Sequence, residues 1–408
     1  MLNKIIFRDP VFDGAADPTV IRRESDGRYF MFYTQRRATL ECSGVEWAHG
    51  TKIGVAVCDG TETEAKKYLP QTREVASEAK LRMTEGGKNP ASVDKFELKD
   101  KYFTPSVSDS LRPSSTAPSA EGAARAWSSE WRYAGTAELP FVEGKTTYWA
   151  PEVIFDGENY RMFVSSVDGV YAEWKGKAEI LQFVSPDLVK WTPVFSQTNH
   201  TERHPERSDA EHRAVEGSPG FSERSEREGD SSDVVLGMTD GIRNTSSAPS
   251  GHLPLEGKAY KSCAIPIDSP RVIDACAFPL AEGWRLWYKD EARGSRTYYI
   301  DTSDFREWRP GGEATSDTDQ EGPNVFAFGG RYWLIADVWD GLAVYASDDL
   351  THFERQEGNL LRGEASHADV FVEAGRAWLV YFCYPEGDRR SAVCVRELKV
   401  ENGSLTLA

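Results

Sequence analysis

No apolar run in the chain approaches the ~20 residues that a membrane-spanning helix needs. Cysteine is scarce and scattered. The six residues Cys42, Cys58, Cys263, Cys276, Cys383 and Cys394 form no CxxC pair and no zinc-like spacing, which points to free buried thiols. Positive charge is in deficit: 48 Lys and Arg against 65 Asp and Glu leave a formal charge of −17. Such a chain is not built to grip a nucleic-acid backbone or an anionic membrane. There is no GxSxG elbow, no P-loop, no GxGxxG between strand and helix, and no HExxH. The opening Met1-Leu2-Asn3-Lys4-Ile5-Ile6-Phe7-Arg8-Asp9 is too poor in apolar residues for a secretion signal. As the chain stands it is expected in the cytoplasm; a leader missing from the N-terminus would make it secreted, and the sequons at Asn199, Asn244 and Asn402 would then matter.

What is abundant is aromatic. Twelve Trp, sixteen Tyr and nineteen Phe in 408 residues suit sheet cores and sugar-stacking pockets equally. They fall in a recurring pattern of two short apolar strands joined by a Gly-containing turn, the signature of a β-hairpin. Five such units overlay: Ala16–Thr34, Ala150–Val164, Asp274–Tyr288, Glu321–Asp337 and His367–Tyr381. Most continue into a third strand that ends in a polar turn and an aromatic, as in Ser185-Pro186-Asp187-Leu188-Val189-Lys190-Trp191. Units four and five begin about 45 residues apart, the period of a four-stranded propeller blade. The spacing predicts an all-β fold, a single five-bladed β-propeller over 1–408, with a β-sandwich as the alternative. Ile5-Ile6-Phe7 is expected to pair near Val393-Cys394-Val395 and close the ring. Two segments, about 61–126 and about 197–260, lack apolar periodicity and are expected to be irregular, mobile insertions in blade one and between blades two and three.

The first strand of every blade faces the axis of a propeller, so groups at the strand starts converge on one mouth. Here these are Asp17, Glu152, Asp274, Glu321 and His367. Carboxylates gathered in one cavity raise one another's pKa and are costly as plain structure. Glycoside hydrolysis uses such an array, one acid to protonate the leaving oxygen and one carboxylate to activate water or attack carbon. Near the same strand starts lie Tyr148, Trp149 and Trp339, candidates for a sugar-stacking floor or for core packing. His49, in the loop Trp47-Ala48-His49-Gly50, is a further candidate substrate contact.

Ala16-Asp17-Pro18, Tyr148-Trp149-Ala150-Pro151-Glu152-Val153, Val272-Ile273-Asp274 and Glu321-Gly322-Pro323, in that order on a repeat framework, resemble the five-bladed propeller glycosidases of glycoside hydrolase family 43 and its wider clan. The resemblance covers most of the chain outside the two insertions. It implies inversion of configuration, with Asp17 as general base, Glu321 as general acid and Asp274 as the carboxylate that tunes and orients the acid. Base and acid would then stand roughly 6.5–9.5 Å apart to admit a water. Glu152 departs from the family pattern, which often has Asp there. His367 matches a histidine that helps hold a central ion, often calcium, although Ala365-Ser366 replaces the expected glycine-rich lead. No cofactor is required by this chemistry. The resemblance names oligosaccharides with arabinofuranosyl, xylosyl or anhydro-sugar ends as the partner class. Alternatives are a retaining propeller glycosidase, a phosphorylase with a basic phosphate cluster at the mouth, and a carbohydrate-binding propeller without catalysis.

Overall fold

Strands that are apolar at every position need cover on both faces, and a ring of blades provides it. Tyr29-Phe30-Met31-Phe32-Tyr33 shows how. Tyr29, Met31 and Tyr33 pack with Trp378, Val380 and Val393, whereas Phe30 and Phe32 pack with Met162, Phe183 and Trp191. Because side chains alternate along a strand, one strand thereby joins two neighbouring sheets. The second strands of the other units repeat the arrangement: Met162 and Phe163, Leu286 and Trp287, Trp333 and Leu334, and Leu379 and Val380 each divide between two apolar clusters.

The computed structural model describes residues 4–58, 130–140, 142, 144–196 and 263–408. The segments 61–126 and 197–260, read from sequence as insertions, lie outside the described residues. Strand β1 (Lys4–Arg8) precedes blade one, which comprises β2 (Ala15–Arg22), β3 (Tyr29–Gln35), β4 (Lys52–Cys58) and β5 (Arg132–Thr136). Blade two is β6 (Lys145–Phe155), β7 (Tyr160–Asp168), β8 (Ala178–Ser185) and β9 (Thr192–Pro193). Blade three is β10 (Val272–Pro279), β11 (Trp284–Asp290), β12 (Arg296–Thr302) and β13 (Trp308–Thr315). Blade four is β14 (Glu321–Phe328), β15 (Arg331–Asp337), β16 (Leu342–Ser347) and β17 (Glu354–Leu360). Blade five is β18 (Ser366–Glu373), β19 (Arg376–Cys383) and β20 (Ala392–Glu401). Its outer position is shared: β1 covers the first half of β20, with Lys4 opposite Val395 and Phe7 opposite Val393, and β21 (Ser404–Leu407) covers the second half.

The fold is therefore the expected five-bladed β-propeller, closed where the sequence placed the closure. The five first strands neighbour one another in a ring, β2–β6–β10–β14–β18 and back to β2. Among the described residues the only helical element is a 3₁₀ turn at Glu291–Arg293, capped by Asp290, which accepts from the N–H groups of Ala292 and Arg293. No described helix is long and apolar enough to cross a membrane.

Candidate active site

Each first strand carries one residue more than its second strand pairs with, a β-bulge: two residues stand opposite one in four blades, and His367 is the extra residue in the fifth. The bulged pairs are Asp17-Pro18, Ala150-Pro151, Asp274-Ala275 and Gly322-Pro323. The first residue of each has a positive φ: 48° at Asp17, 43° at Ala150, 59° at Asp274 and 56° at Gly322. Left-handed backbone is strained for a residue with a Cβ, and here it turns Asp17 and Asp274 out of the ladder. The bulge N–H groups are then free to donate to the preceding blade. Ala150 N–H donates to Thr34 Oγ1 (2.8 Å), Asp274 N–H to Ser165 Oγ (2.8 Å) and His367 N–H to Asp337 Oδ2 (3.0 Å). Gly322 N–H instead reaches the Asp274 carboxylate (3.1 Å). Four of the five blade junctions are latched in this way at the bulge.

Asp17, Asp274, Glu321 and His367 come together in a cleft of about 480 Å³. Asp17 accepts a hydrogen bond from Thr34 Oγ1 at 2.7 Å and lies 3.6 Å from both the Arg36 guanidinium and His367 Nδ1. Asp274 is 5% exposed, and burial, reinforced by the Glu321 and Asp17 charges against the pull of His367 and Lys289, pushes it up to about 7. Glu321, the most open of the three carboxylates, accepts from Lys289 Nζ at 3.0 Å. Burial lowers the basicity of His367, but Asp17, Asp274, Glu321 and Asp337 around it outweigh that effect and raise it. Asp337 is itself pushed up to about 6 by burial and the nearby Glu321 charge.

Aromatic rings form the cleft wall. Trp149 is fixed by donating from Nε1 to the Ala48 carbonyl (2.6 Å) and meets Trp174 edge-on at 6.0 Å. Trp339 stands 57% exposed on the opposite rim, held by its N–H to Asp337 Oδ1 at 2.7 Å. Trp47 faces the Arg36 guanidinium at 5.5 Å, and Phe382 backs the same guanidinium at 4.9 Å.

Three expectations need correction. Glu152 does not reach the mouth: Ala150 holds the register position of Asp17, and Glu152 lies two residues further down the strand. There it joins a buried collar with Thr19, Cys276, Asn324 and Asp369, one residue from each blade. Thr19 Oγ1 and the Ala277 N–H donate to Glu152 (3.4 and 3.1 Å), while Asn324 Nδ2 and the Val20 N–H donate to Asp369 (2.9 and 2.8 Å). Burial, with the Asp369 charge adding to it, pushes Glu152 up to about 8. His49 is fully buried behind the wall, edge-on to Trp149 at 5.1 Å and Tyr171 at 5.6 Å, so it supports the aromatic shelf and does not line the cleft. Tyr148 points the other way, since adjacent strand residues face opposite sides, and packs on the core between blades one and two.

The calcium expectation at His367 meets a poor donor set. Its ring faces Asp17 as an ion pair, and among the described residues no group of three or more His, Cys, Asp or Glu side chains is arranged to hold a metal. No step below runs through an ion. Sequence reading missed Arg36, Arg271, Asp337 and Trp174 as cleft residues. Asp337 ends a second strand, Arg36 follows one, and Arg271 and Trp174 sit in connecting segments, all outside the strand-start pattern.

No protein-family model matches the sequence, and no curated protein matches it. Solved structures do. A thermostable family-43 glycoside hydrolase superposes with a TM-score of 0.52 at 14% identity, covering 98% of this chain and 95% of that one. The RS223 β-xylosidase superposes with a TM-score of 0.50 at 11% identity, covering 97% of this chain and 95% of that one. A GH32 β-fructofuranosidase from Bombyx mori gives a TM-score of 0.52 at 10% identity over all of this chain and 65% of that one. At these identities the likeness is one of fold: the chain has the five-bladed propeller of the family-43 glycoside hydrolases.

Proposed function

We propose that the protein is a glycosidase that cleaves terminal glycosidic bonds with inversion, with Asp17 as general base, Glu321 as general acid and Asp274 as the group that orients and tunes the acid. The observation that carries this is the meeting of three carboxylates from three different blades in one aromatic-walled cleft, two of them on strained backbone. Strain of that kind persists where a site needs it. Asp17 is held between the Arg36 guanidinium and the His367 ring, each 3.6 Å away, so its carboxylate is fixed at the cleft where an attacking water would stand. Asp274 binds the backbone N–H of Gly322, the residue next to Glu321, and so ties the acid's position to its own. Trp149, Trp174 and Trp339 offer apolar faces to a sugar ring. Oligosaccharides of plant or algal type with arabinofuranosyl, xylosyl or anhydro-sugar ends are the proposed substrates.

The phosphorylase alternative is disfavoured by charge pairing. Arg36 and Arg271 line the cleft and Lys289 reaches it through Glu321, yet each already faces a carboxylate: Asp17 for Arg36, Glu291 for Arg271, Glu321 and Glu291 for Lys289. No uncompensated cationic cluster among the described cleft residues awaits a phosphate.

The test is hydrolysis of aryl arabinofuranoside, xyloside and galactoside, and of oligosaccharides, by wild type, Asp17→Asn and Glu321→Gln. Loss of the base should abolish turnover of every substrate. Loss of the acid should impair natural leaving groups far more than activated aryl ones, which need little protonation. Binding without cleavage, unchanged in both variants, would move the carbohydrate-binding propeller to the front.

A further inference from the structure

The five blades permit an internal comparison. Thr34, Ser165, Lys289, Asp337 and Phe382 occupy one register position, each paired with the residue just ahead of the bulge in its own first strand. Thr34, Ser165 and Asp337 use their oxygens to accept the bulge N–H of the next blade. Lys289 has no acceptor to offer, and the N–H it would have served, that of Gly322, turns to Asp274. Blade three thus abandons the latch at this position for an ammonium that is 3% exposed. Phe382 offers no acceptor either, but only Lys289 places a positive charge here, and a buried cation is costly unless it is paired. Its Nζ lies 3.0 Å from Glu321 Oε2 and 3.1 Å from Glu291 Oε1, with the Trp339 ring 5.4 Å away.

We propose that Lys289 is a positioning residue for Glu321: the ion pair fixes the carboxyl's orientation at the cleft and sets the highest pH at which that carboxyl carries a proton. The catalytic meaning of this rests on the glycosidase reading; the ionisation itself does not. Four carboxylates lie around the pair: Glu291 and Asp274 act on Lys289 from blade three, Asp337 faces Glu321 from blade four, and Asp17 of blade one lies beside Asp274. His367 and Arg36 oppose them from blades five and one. Only Lys289 touches the carboxylate, so its contribution dominates the cationic side. Burial works against the Lys289 charge, but Glu321, Asp274 and Glu291 more than offset it and hold the ammonium above its ordinary range. Glu291 competes with Glu321 for the same ammonium and gives the device an adjustable second arm.

The experiment is a side-chain 13C NMR titration of protein labelled at glutamate, with the Glu321 resonance assigned by its loss in Glu321→Gln. Lys289→Met should raise the Glu321 midpoint by about one pH unit or more, since an opposite charge at this range shifts a carboxyl by 1–3 units. Glu291→Gln should move it down, because Lys289 is then released wholly to Glu321. Lys289→Arg should stay near wild type. A midpoint unmoved in Lys289→Met, or raised in Glu291→Gln, overturns the proposal. The titration needs no substrate, so it decides the role of Lys289 whatever the outcome of the hydrolysis assays. If the glycosidase reading holds, the alkaline limb of kcat/KM follows the same opposite-signed shifts.

Discussion

Glu152 offers a quantitative test of the buried collar. Its carboxyl is held at about 8 in the folded protein against 4.5 for a free glutamate. Below 4.5 both states carry the proton and the group contributes no pH dependence. Between 4.5 and 8 the unfolded chain has released its proton while the folded one keeps it, so stability falls by about 1.4 kcal/mol per pH unit as pH rises. Above 8 the loss is complete, with a ceiling of about 5 kcal/mol. Glu152→Gln keeps the acceptor for Ala277 N–H and cannot ionise, so it should be nearly neutral in acid and stabilising in alkali. Between pH 5 and pH 8.5 the stability of the variant relative to wild type should improve by about 2–4 kcal/mol. Equilibrium urea unfolding of both proteins at the two pH values measures this; contributions of groups not coupled to Glu152 cancel in the difference, and Asp369, whose charge acts on Glu152, is the neighbour that adds to it. The same variant-minus-wild-type gap at both pH values would refute the account of the collar as a proton-holding ring.

Two further outcomes follow from packing. Phe7→Ala removes a buried ring that stands 5.1 Å from Tyr33 and anchors the closing strand; it should cost about 3–5 kcal/mol in an unfolding titration and expose β1 to protease. Gly322→Ala would place a Cβ 2.6 Å from His367 Cγ and 2.8 Å from its Nδ1, on backbone at φ +56°. It should lower kcat/KM about tenfold or more while leaving Tm within a few degrees of wild type, since about 1–2 kcal/mol of backbone strain is local.

The blades were legible in the sequence because a hairpin buried on both faces writes itself as an unbroken apolar run with a Gly turn. The pairing of β1 with Val393 to Val395 was legible for the same reason, since Ile5-Ile6-Phe7 is a lone apolar strand without a hairpin partner. Register was harder to read. Glu152 and Asp17 both stand near a Pro, and the sequence invites their superposition; the bulge puts Glu152 two positions deeper, with Ala150 in the place expected for a carboxylate. Glu321 likewise lies one residue ahead of the bulge, where blade three has Ile273. Lys289 does not stand out in the sequence, because nothing in a strand end announces that a lysine turns inward. Its meaning emerges from comparison with Thr34, Ser165 and Asp337, which requires the register itself.

Closure of the ring sets an order on synthesis. Asp17 leaves the ribosome long before its ion partner His367 and before Tyr384, whose hydroxyl receives Arg36; both belong to blade five. Until β20 emerges, β1 has no strand to join, and the face of blade one that carries Met31 and Tyr33 has no blade five to cover it. The nascent chain therefore presents a wide apolar face for most of its translation, the condition under which chaperone capture and misassembly compete with folding. A translation arrest or truncation between Leu360 and Ala392 would leave four blades with an unfinished cleft.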